Sequence, residues 1–166
     1  IILVTAHRRE SFGPPFEEIC LGLREVVRRN PDVAVIYPVH LNPNVQEPVH
    51  RWFDGEARIY LTDPMPYLPF AHLMAASDLV LTDSGGIQEE APALGKPVLV
   101  LRDVTERPEA VVAGTAKLIG PHADTIIAES ERLLHDVAAY RAMANAISPY
   151  GDGHAAERIV TALLAG

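Results

Sequence analysis

Hydrophobic residues along the chain follow two patterns in turn, and together these predict alternating strands and helices. Short runs that are apolar throughout indicate buried strands. Longer segments in which apolar residues recur three and four positions apart indicate helices with one buried face. The predicted strands cover residues 1–6, 33–37, 58–61, 79–81, 98–101 and 116–119.

The predicted helices begin and end at residues that favour helix termini. Pro14 and Pro15 suit the start of the first helix, which Asn30 and Pro31 stop. Gly95 closes the helix that opens near Gly85. Further helices are predicted around 45–53, over 67–76, from 105–110 and beyond 119, with a break at 149–153.

Strands separated by helices predict a parallel sheet with both faces covered. Right-handed crossovers then give a doubly wound, Rossmann-like α/β domain, here a single domain over residues 1–166. Ligands bind such sheets where the carboxyl ends of strands run into loops. Polar and glycine residues occupy those predicted ends: His7, His40, 83–86, Arg102 and Arg107.

Charge and cysteine content narrow the function classes. Acidic residues outnumber Lys plus Arg by 22 to 14, so the net charge of -8 argues against a nucleic-acid-binding protein. The one cysteine, Cys20, excludes an internal disulfide, and no apolar run approaches the roughly 18 residues of a membrane span. These features predict a cytoplasmic location. Because residue 1 already lies in a buried-type strand, we expect the chain to be part of a longer polypeptide.

The stretch from strand 79–81 through Asp83-Ser84-Gly85-Gly86 into a helix is the strongest candidate site. A strand, a glycine turn and a helix start place free backbone amides and a positive dipole end together, which suits phosphate. The alternative is an ordinary tight turn in which Ser84 caps the helix. Glu89 or Glu90 could bind ribose hydroxyls, and spacing does not choose between them; a solvated acidic face is the plain alternative.

A second candidate is the loop after the first strand, where His7 is followed by Arg8 and Arg9. A histidine beside arginines suits acid–base or electrostatic work next to an anionic leaving group. The alternative for this loop is that its charges pair with one another. The alternative for His40 is a buried histidine hydrogen-bonded to backbone, and that for Arg107 is an ion pair at a helix end. No metal is predicted, because the remaining histidines lack ligand spacing: His50, His72, His122, His135 and His154.

Several ordered segments resemble one family closely. The segments are Thr5-Ala6-His7-Arg8-Arg9-Glu10, Tyr37-Pro38-Val39-His40-Leu41-Asn42-Pro43, Thr82-Asp83-Ser84-Gly85-Gly86-Ile87-Gln88-Glu89-Glu90-Ala91, Gly95-Lys96-Pro97, Thr105-Glu106-Arg107-Pro108-Glu109 and Tyr150-Gly151-Asp152-Gly153. Over its whole length the chain resembles the C-terminal half of bacterial non-hydrolysing UDP-N-acetylglucosamine 2-epimerases.

The resemblance implies the nucleotide-binding half of a GT-B-type two-domain fold, with the active site between the domains. It implies interconversion of UDP-N-acetylglucosamine and UDP-N-acetylmannosamine by elimination and re-addition of UDP, without metal or other cofactor. Such enzymes serve cell-envelope polysaccharide synthesis and are typically homodimers. The other reactions considered are hydrolytic epimerisation, glycosyl transfer, and UDP-sugar binding without catalysis.

The resemblance also assigns roles to residues by position. His7 becomes the active-site histidine near the diphosphate. The UDP-binding residues become Met65 and Phe70 at uracil, Ser84, Gly85 and Gly86 at phosphate, Glu90 at ribose, and Arg107. Arg8 and His40 correspond to residues that reach a second, activating UDP-N-acetylglucosamine.

The chain departs from the family pattern at Met65-Pro66, where only a backbone contact to uracil is expected, and at Ser11, where Asn is commoner. The family's catalytic carboxylates belong to the N-terminal half. We therefore expect residues 1–166 alone to bind UDP weakly and not to epimerise. The terminal helix, about 153–165, is expected to cross to the missing domain.

Overall fold

The computed structural model describes residues 1–165 and contains one six-stranded sheet. Its strands are β1 (Ile2–Thr5), β2 (Val35–Pro38), β3 (Ile59–Thr62), β4 (Leu79–Thr82), β5 (Val98–Val100) and β6 (Ala116–Leu118). Its helices are α1 (Pro14–Arg29), α2 (Pro43–Phe53), α3 (Tyr67–Ala76), α4 (Gly85–Ala93), α5 (Pro108–Val112), α6 (Ala123–His135), α7 (Val137–Ala144) and α8 (Ala155–Leu164).

The strand order is β3-β2-β1-β4-β5-β6, and every neighbouring pair is parallel. The order reverses at β1, so crossovers run one way through β2 and β3 and the other way through β4, β5 and β6. This is the doubly wound, Rossmann-like topology that the hydrophobic pattern predicts, and the fold class is confirmed. β1 and β4 are the central pair, and they are aligned from Ile2 opposite Leu79 to Thr5 opposite Thr82.

The central strands β1, β4 and β5 are buried on both faces because their side chains alternate between two cores. In β4, Leu79 and Leu81 join one core while Val80 joins the other. Helices α1, α2 and α6 contribute to the first core, and α3, α4 and α5 contribute to the second. This two-sided burial explains why consecutive positions of the central strands are apolar, rather than alternate ones.

Helices α1 and α6 are in close contact at Gly22. A Cβ atom at Gly22 would lie 3.0 Å from Cβ of Ile126 and 3.2 Å from Cα of Ala123. The helix glycine therefore serves close approach rather than flexibility, since the side chain of any other residue would push the helices apart.

Helix α8 differs from the others because none of its residues is buried. Its exposed apolar side chains are Ile159, Val160, Leu163 and Leu164. Within residues 1–165, no helix combines the length and apolar character that crossing a membrane requires.

The main boundary difference concerns the short helix predicted from residue 105. It begins at Pro108, because Thr105 and Arg107 form a turn in which the backbone amide of Arg107 donates to Oγ1 of Thr105 at 3.0 Å. The predicted helix stop at Gly95 is confirmed, with that glycine at a φ of 66°. Cys20 is buried with a free thiol.

A buried tyrosine secures the loop that follows β1. The hydroxyl of Tyr37 is fully buried and donates to the carbonyl of Ala6 at 2.5 Å.

We expect Tyr37→Phe to lower the free energy of unfolding by about 1–3 kcal/mol, because a buried hydrogen-bonding group loses its partner. Tyr60→Phe on the neighbouring strand is the control, since Tyr60 is 53% exposed and should change stability by less than about 0.5 kcal/mol. Equal urea midpoints for the two variants would contradict this role for Tyr37.

Candidate functional site

The turn between β4 and α4 is held by two threonine hydroxyls. Thr5 and Thr82, opposite each other on the paired strands, approach to 2.6 Å between their Oγ1 atoms. Oγ1 of Thr82 also accepts the backbone amide of Ser84 at 2.9 Å. Ser84 occupies the N-cap position of α4, but its side chain makes no capping hydrogen bond. The hydroxyl of Ser84 and the first amides of α4 therefore stay available to a ligand.

Two guanidinium groups flank the start of α4. Measured from the position that a Cβ of Gly85 would occupy, Nη2 of Arg8 lies at 3.8 Å and Cζ of Arg107 at 4.0 Å. Arg8 comes from the loop after β1, and Arg107 comes from the loop after β5. A helix N-terminus with two arginines beside it presents amide donors, a positive dipole end and cationic charge to one anion.

A buried hydrogen-bond relay sets Arg107 relative to the glycine turn. Gln88 is fully buried, and its Nε2 donates to the carbonyl of Ser84 at 3.1 Å. Its Oε1 accepts the hydroxyl of Thr105 at 2.6 Å, and Thr105 in turn accepts the amide of Arg107. The guanidinium of Arg107 forms an ion pair with Glu89 of α4. The loops after β4 and β5 are therefore one connected unit.

The two neighbouring acids of α4 have different surroundings. Glu89 is committed to Arg107, so the ion pair that was an alternative for Arg107 is present, although its partner lies on α4 rather than α5. Glu90 lies one turn beyond Gly86, with Oε1 3.8 Å from the position of a Cβ at that glycine. It makes no ion pair among the residues that the structure describes. A hydrogen bond with Glu90 raises the pKa of Tyr67, and the carboxylate of Glu90 keeps further acceptor capacity. Geometry thus favours Glu90 over Glu89 as the acceptor beside the turn.

A cavity of about 230 Å³ opens at the carboxyl ends of β1, β2 and β4, next to this turn. Its walls combine apolar and polar groups, as small-molecule sites commonly do. The lining residues are Thr5, His7, Pro38, His40, Pro64, Met65, Phe70, Ser84 and Ile87. The structure therefore brings His7, His40, Met65, Phe70 and Ser84 to one cavity.

The loop carrying His7 is tied to the glycine turn through Asp83. Oδ2 of Asp83 accepts the backbone amides of His7 and Arg8, each at 2.7 Å. The imidazole of His7 stacks on that of His40, with ring centroids 5.2 Å apart and an interplanar angle of 12°. His40 is exposed rather than buried, and its Nδ1 accepts the amide of Asn42 at 3.1 Å. The buried structural histidine considered from the sequence is therefore wrong for His40.

The electrostatics of the site keep His7 uncharged at neutral pH. Burial lowers the pKa of His7 below 6.5, and the neighbouring His40 and Arg8 act in the same direction, while Asp83 opposes them. Burial raises the pKa of the Asp83 carboxyl, an effect that the two amide hydrogen bonds and the charges of His7 and Arg8 oppose. The neutral imidazole of His7 thus lies next to the carboxyl group of Asp83, with Nδ1 3.8 Å from Oδ1.

The acidic side of the first loop pairs with Arg102 rather than with the arginines next to it. Arg102 is 7% exposed and binds the carboxylates of Glu10 and Glu106. Hydrogen bonds from Arg102 lower the pKa of Glu106 to about 2. Glu10 lies in a single 3-10 turn over Arg9–Ser11, so this pairing joins the loops after β1 and β5. The expectation that the loop charges simply pair with one another is therefore wrong for Glu10.

Sequence reasoning missed the supporting roles of Asp83, Gln88, Thr105 and Arg102. Gln88 carried a usable signal, because it lies four residues after Ser84 and so shares a helix face with the turn. Arg102 carried none, since its partners lie 92 residues before it and four after it. No group of three or more His, Cys, Asp or Glu side chains suited to a metal ion occurs within residues 1–165.

Comparison with known proteins identifies a family whose sequences resemble this chain. A family model described as UDP-N-acetylglucosamine 2-epimerase matches residues 1–164. The UDP-N-acetylglucosamine 2-epimerase of Yersinia pestis is 60% identical over 163 residues, which are 98% of this chain and 43% of the relative. The chain therefore spans less than half the length of that relative.

Solved structures of proteins from the same family have the same fold as this chain. The UDP-GlcNAc 2-epimerase of Neisseria meningitidis bound to UDP-GlcNAc has a TM-score of 0.94 at 48% identity, covering 99% of this chain and 44% of that one. The S. aureus MnaA-UDP co-structure has a TM-score of 0.93 at 46% identity, covering 98% and 44%. The match lies in the C-terminal half of these relatives, which have a GT-B fold. By sequence over residues 1–164, and by fold, this chain belongs to the UDP-N-acetylglucosamine 2-epimerase family.

Proposed function

We propose that this chain is the UDP-binding domain of an enzyme that interconverts UDP-N-acetylglucosamine and UDP-N-acetylmannosamine. One observation carries the proposal: the N-terminus of α4 and the guanidiniums of Arg8 and Arg107 converge beside a cavity that His7 and Ser84 line. A diphosphate matches this convergence, because it offers several anionic oxygens to donors from three loops. Relatives of the same fold that have been solved with UDP or UDP-GlcNAc support the choice of nucleotide.

The residues around the glycine turn suggest where the ribose and the uracil bind. With the diphosphate against Ser84, Gly85 and Gly86, the carboxylate of Glu90 lies one helical turn away and accepts the ribose hydroxyls. Met65 and Phe70 form the apolar wall of the same cavity and receive the uracil. Arg107, fixed by Glu89 and by the Gln88–Thr105 relay, binds the phosphate edge.

His7 would act at the leaving group. In the elimination step a base removes the proton at C2, the C1–O bond breaks, and its electron pair leaves with the UDP oxygen. The products are 2-acetamidoglucal and UDP. UDP then adds back at C1 while a proton is delivered to C2 from the face opposite to the one it left, which inverts C2. A histidine beside the diphosphate stabilises the charge that develops on the departing oxygen.

Arg8 and His40 are proposed to reach a second, activating UDP-N-acetylglucosamine. Two contacts support this assignment: His40 stacks on His7, and Arg8 lies beside Gly85. A second ligand bound to either residue would therefore act on the diphosphate pocket through that contact. We also propose that the complete enzyme is a cytoplasmic homodimer whose catalytic carboxylates and other domain lie outside residues 1–166.

Binding of UDP to this chain tests the proposed site. We expect measurable heat by calorimetry and a dissociation constant about five- to tenfold higher in Ser84→Ala or Glu90→Gln, since each loses a hydrogen bond worth about 1 kcal/mol. Glu131→Gln on α6, on the opposite face of the sheet, is the matched control and should bind UDP as the unchanged chain does. Unchanged affinity in both site variants would place the nucleotide elsewhere.

Catalysis should require more than this chain. Incubation of the 166-residue chain with UDP-N-acetylglucosamine in D₂O should leave C2 free of deuterium by NMR, because we assign the base that removes the C2 proton to the other domain. The longer protein, assayed in parallel, should incorporate deuterium and form UDP-N-acetylmannosamine. Exchange at C2 catalysed by the isolated chain would contradict the two-domain mechanism, and release of free sugar by the longer protein would indicate a hydrolytic reaction.

We further propose that α8 packs against the remainder of the longer polypeptide, as the exposed side chains of Ile159, Val160, Leu163 and Leu164 suggest. In the isolated chain the amides of α8 should exchange with deuterium much faster than those of α6, whose Ile126 and Leu133 are buried. In the longer protein, α8 should become protected. Equal protection of α6 and α8 in the isolated chain would contradict the proposal.

A further inference from the structure

The carboxylate of Asp83 has one satisfied and one unsatisfied oxygen. Asp83 is fully buried, and Oδ2 accepts the amides of His7 and Arg8. Oδ1 is also buried and has no hydrogen-bond partner within residues 1–165. The nearest ring nitrogen is Nδ1 of His7, at 3.8 Å.

A buried carboxylate oxygen without a donor carries a free-energy cost, so a nearby donor should be drawn to it. The backbone of His7 is already fixed to the other oxygen of the same carboxylate. A shift of the imidazole by about 1 Å would bring Nδ1 within hydrogen-bond distance of Oδ1. This movement involves only the side chain, so the hydrogen bonds from the backbone N–H groups of His7 and Arg8 to Oδ2 are kept.

The charged and titratable groups around His7 explain why Nδ1 lies 3.8 Å from Oδ1 rather than at hydrogen-bond distance. His40 stacks on the ring and Arg8 is the next residue, and both oppose a positive charge on His7. The hydroxyl of Tyr37 is engaged with Ala6 on the interior side. Asp83 is the group that favours the imidazolium, and a bound anion at the start of α4 would add to its effect.

We infer that Asp83 is a positioning residue for His7, which holds the imidazole as the Nδ1–H tautomer and accepts that hydrogen on Oδ1 when an anion occupies the turn. Nε2 then faces the anion. The identity of that anion as UDP rests on the proposed function, whereas the His7–Asp83 pairing rests on the geometry alone. Proton uptake by His7 on binding would supply a donor to the leaving diphosphate, with Asp83 balancing the charge.

The tautomer and proton affinity of His7 test the inference in the 166-residue chain. Long-range ¹H–¹⁵N NMR, with His7 assigned from His7→Gln, should show the Nδ1–H form above its pKa. In Asp83→Asn the side-chain amide can still accept the two backbone amides, but its NH₂ group faces Nδ1 and should switch His7 to Nε2–H. Loss of the carboxylate should also lower the proton affinity of His7 about tenfold.

Thr82→Val is the matched control, because it removes the adjacent buried hydroxyl that contacts Thr5 and Ser84 but leaves Asp83 in place. It should leave the tautomer of His7 unchanged. An Nε2–H tautomer in the unchanged chain would overturn the inference even if Asp83→Asn failed to fold. So would the same tautomer and proton affinity in the unchanged chain and a folded Asp83→Asn variant.

Addition of UDP separates this inference from the proposed function. In the unchanged chain, UDP should raise the proton affinity of His7, and the binding should tighten as the pH falls towards the pKa of His7. Absence of UDP binding together with a tautomer switch in Asp83→Asn would overturn the proposed nucleotide and support the pairing. UDP binding with no effect of Asp83→Asn on His7 would overturn the pairing and support the nucleotide.

Discussion

The parallel pairing of β1 with β4 is the constraint on which the site depends. The two strands run in register from Ile2 and Leu79 to Thr5 and Thr82, so they end side by side. The residues that follow them, His7 and the glycine turn, therefore meet although they are more than seventy positions apart in sequence. Burial on both faces of the sheet fixes this register, because a shift by one residue would exchange the side chains of the two cores.

An acidic chain can still present a cationic pocket where its local geometry concentrates positive charge. The net charge is -8, yet the start of α4 has Arg8 and Arg107 beside it. Glu89 pairs with Arg107 and offsets part of its charge, whereas Glu106 pairs with Arg102. Arg8 makes no ion pair among the residues that the structure describes. Overall charge argues against a nucleic-acid partner but carries no information about the site.

Element types and the strand ends were predictable because they depend on local patterns. Continuous apolar runs define the strands, and Pro14, Gly85 and Gly95 mark helix termini that the structure reproduces closely. The position of the candidate residues at one edge of the sheet then followed from parallel topology. Their roles in binding remain proposals that rest on family resemblance and on this placement.

The supporting contacts were not predictable, since they join distant residues through single atoms. Whether His40 would be buried depended on how far the chain turned after β2, and the structure leaves its ring exposed against His7. The choice between Glu89 and Glu90 depended on where the Arg107 side chain reached from another loop. Neither quantity is encoded in residue spacing.

The bridge of Arg102 to Glu10 and Glu106 has a consequence for affinity as well as for shape. It joins the loop after β1 to the loop that carries Arg107, and the Gln88–Thr105 relay joins that loop to the turn after β4. Side-chain contacts thus connect the three loops around the start of α4 to one another. A ligand that enters this face has little chain entropy to remove, so more of each contact is expressed as binding free energy.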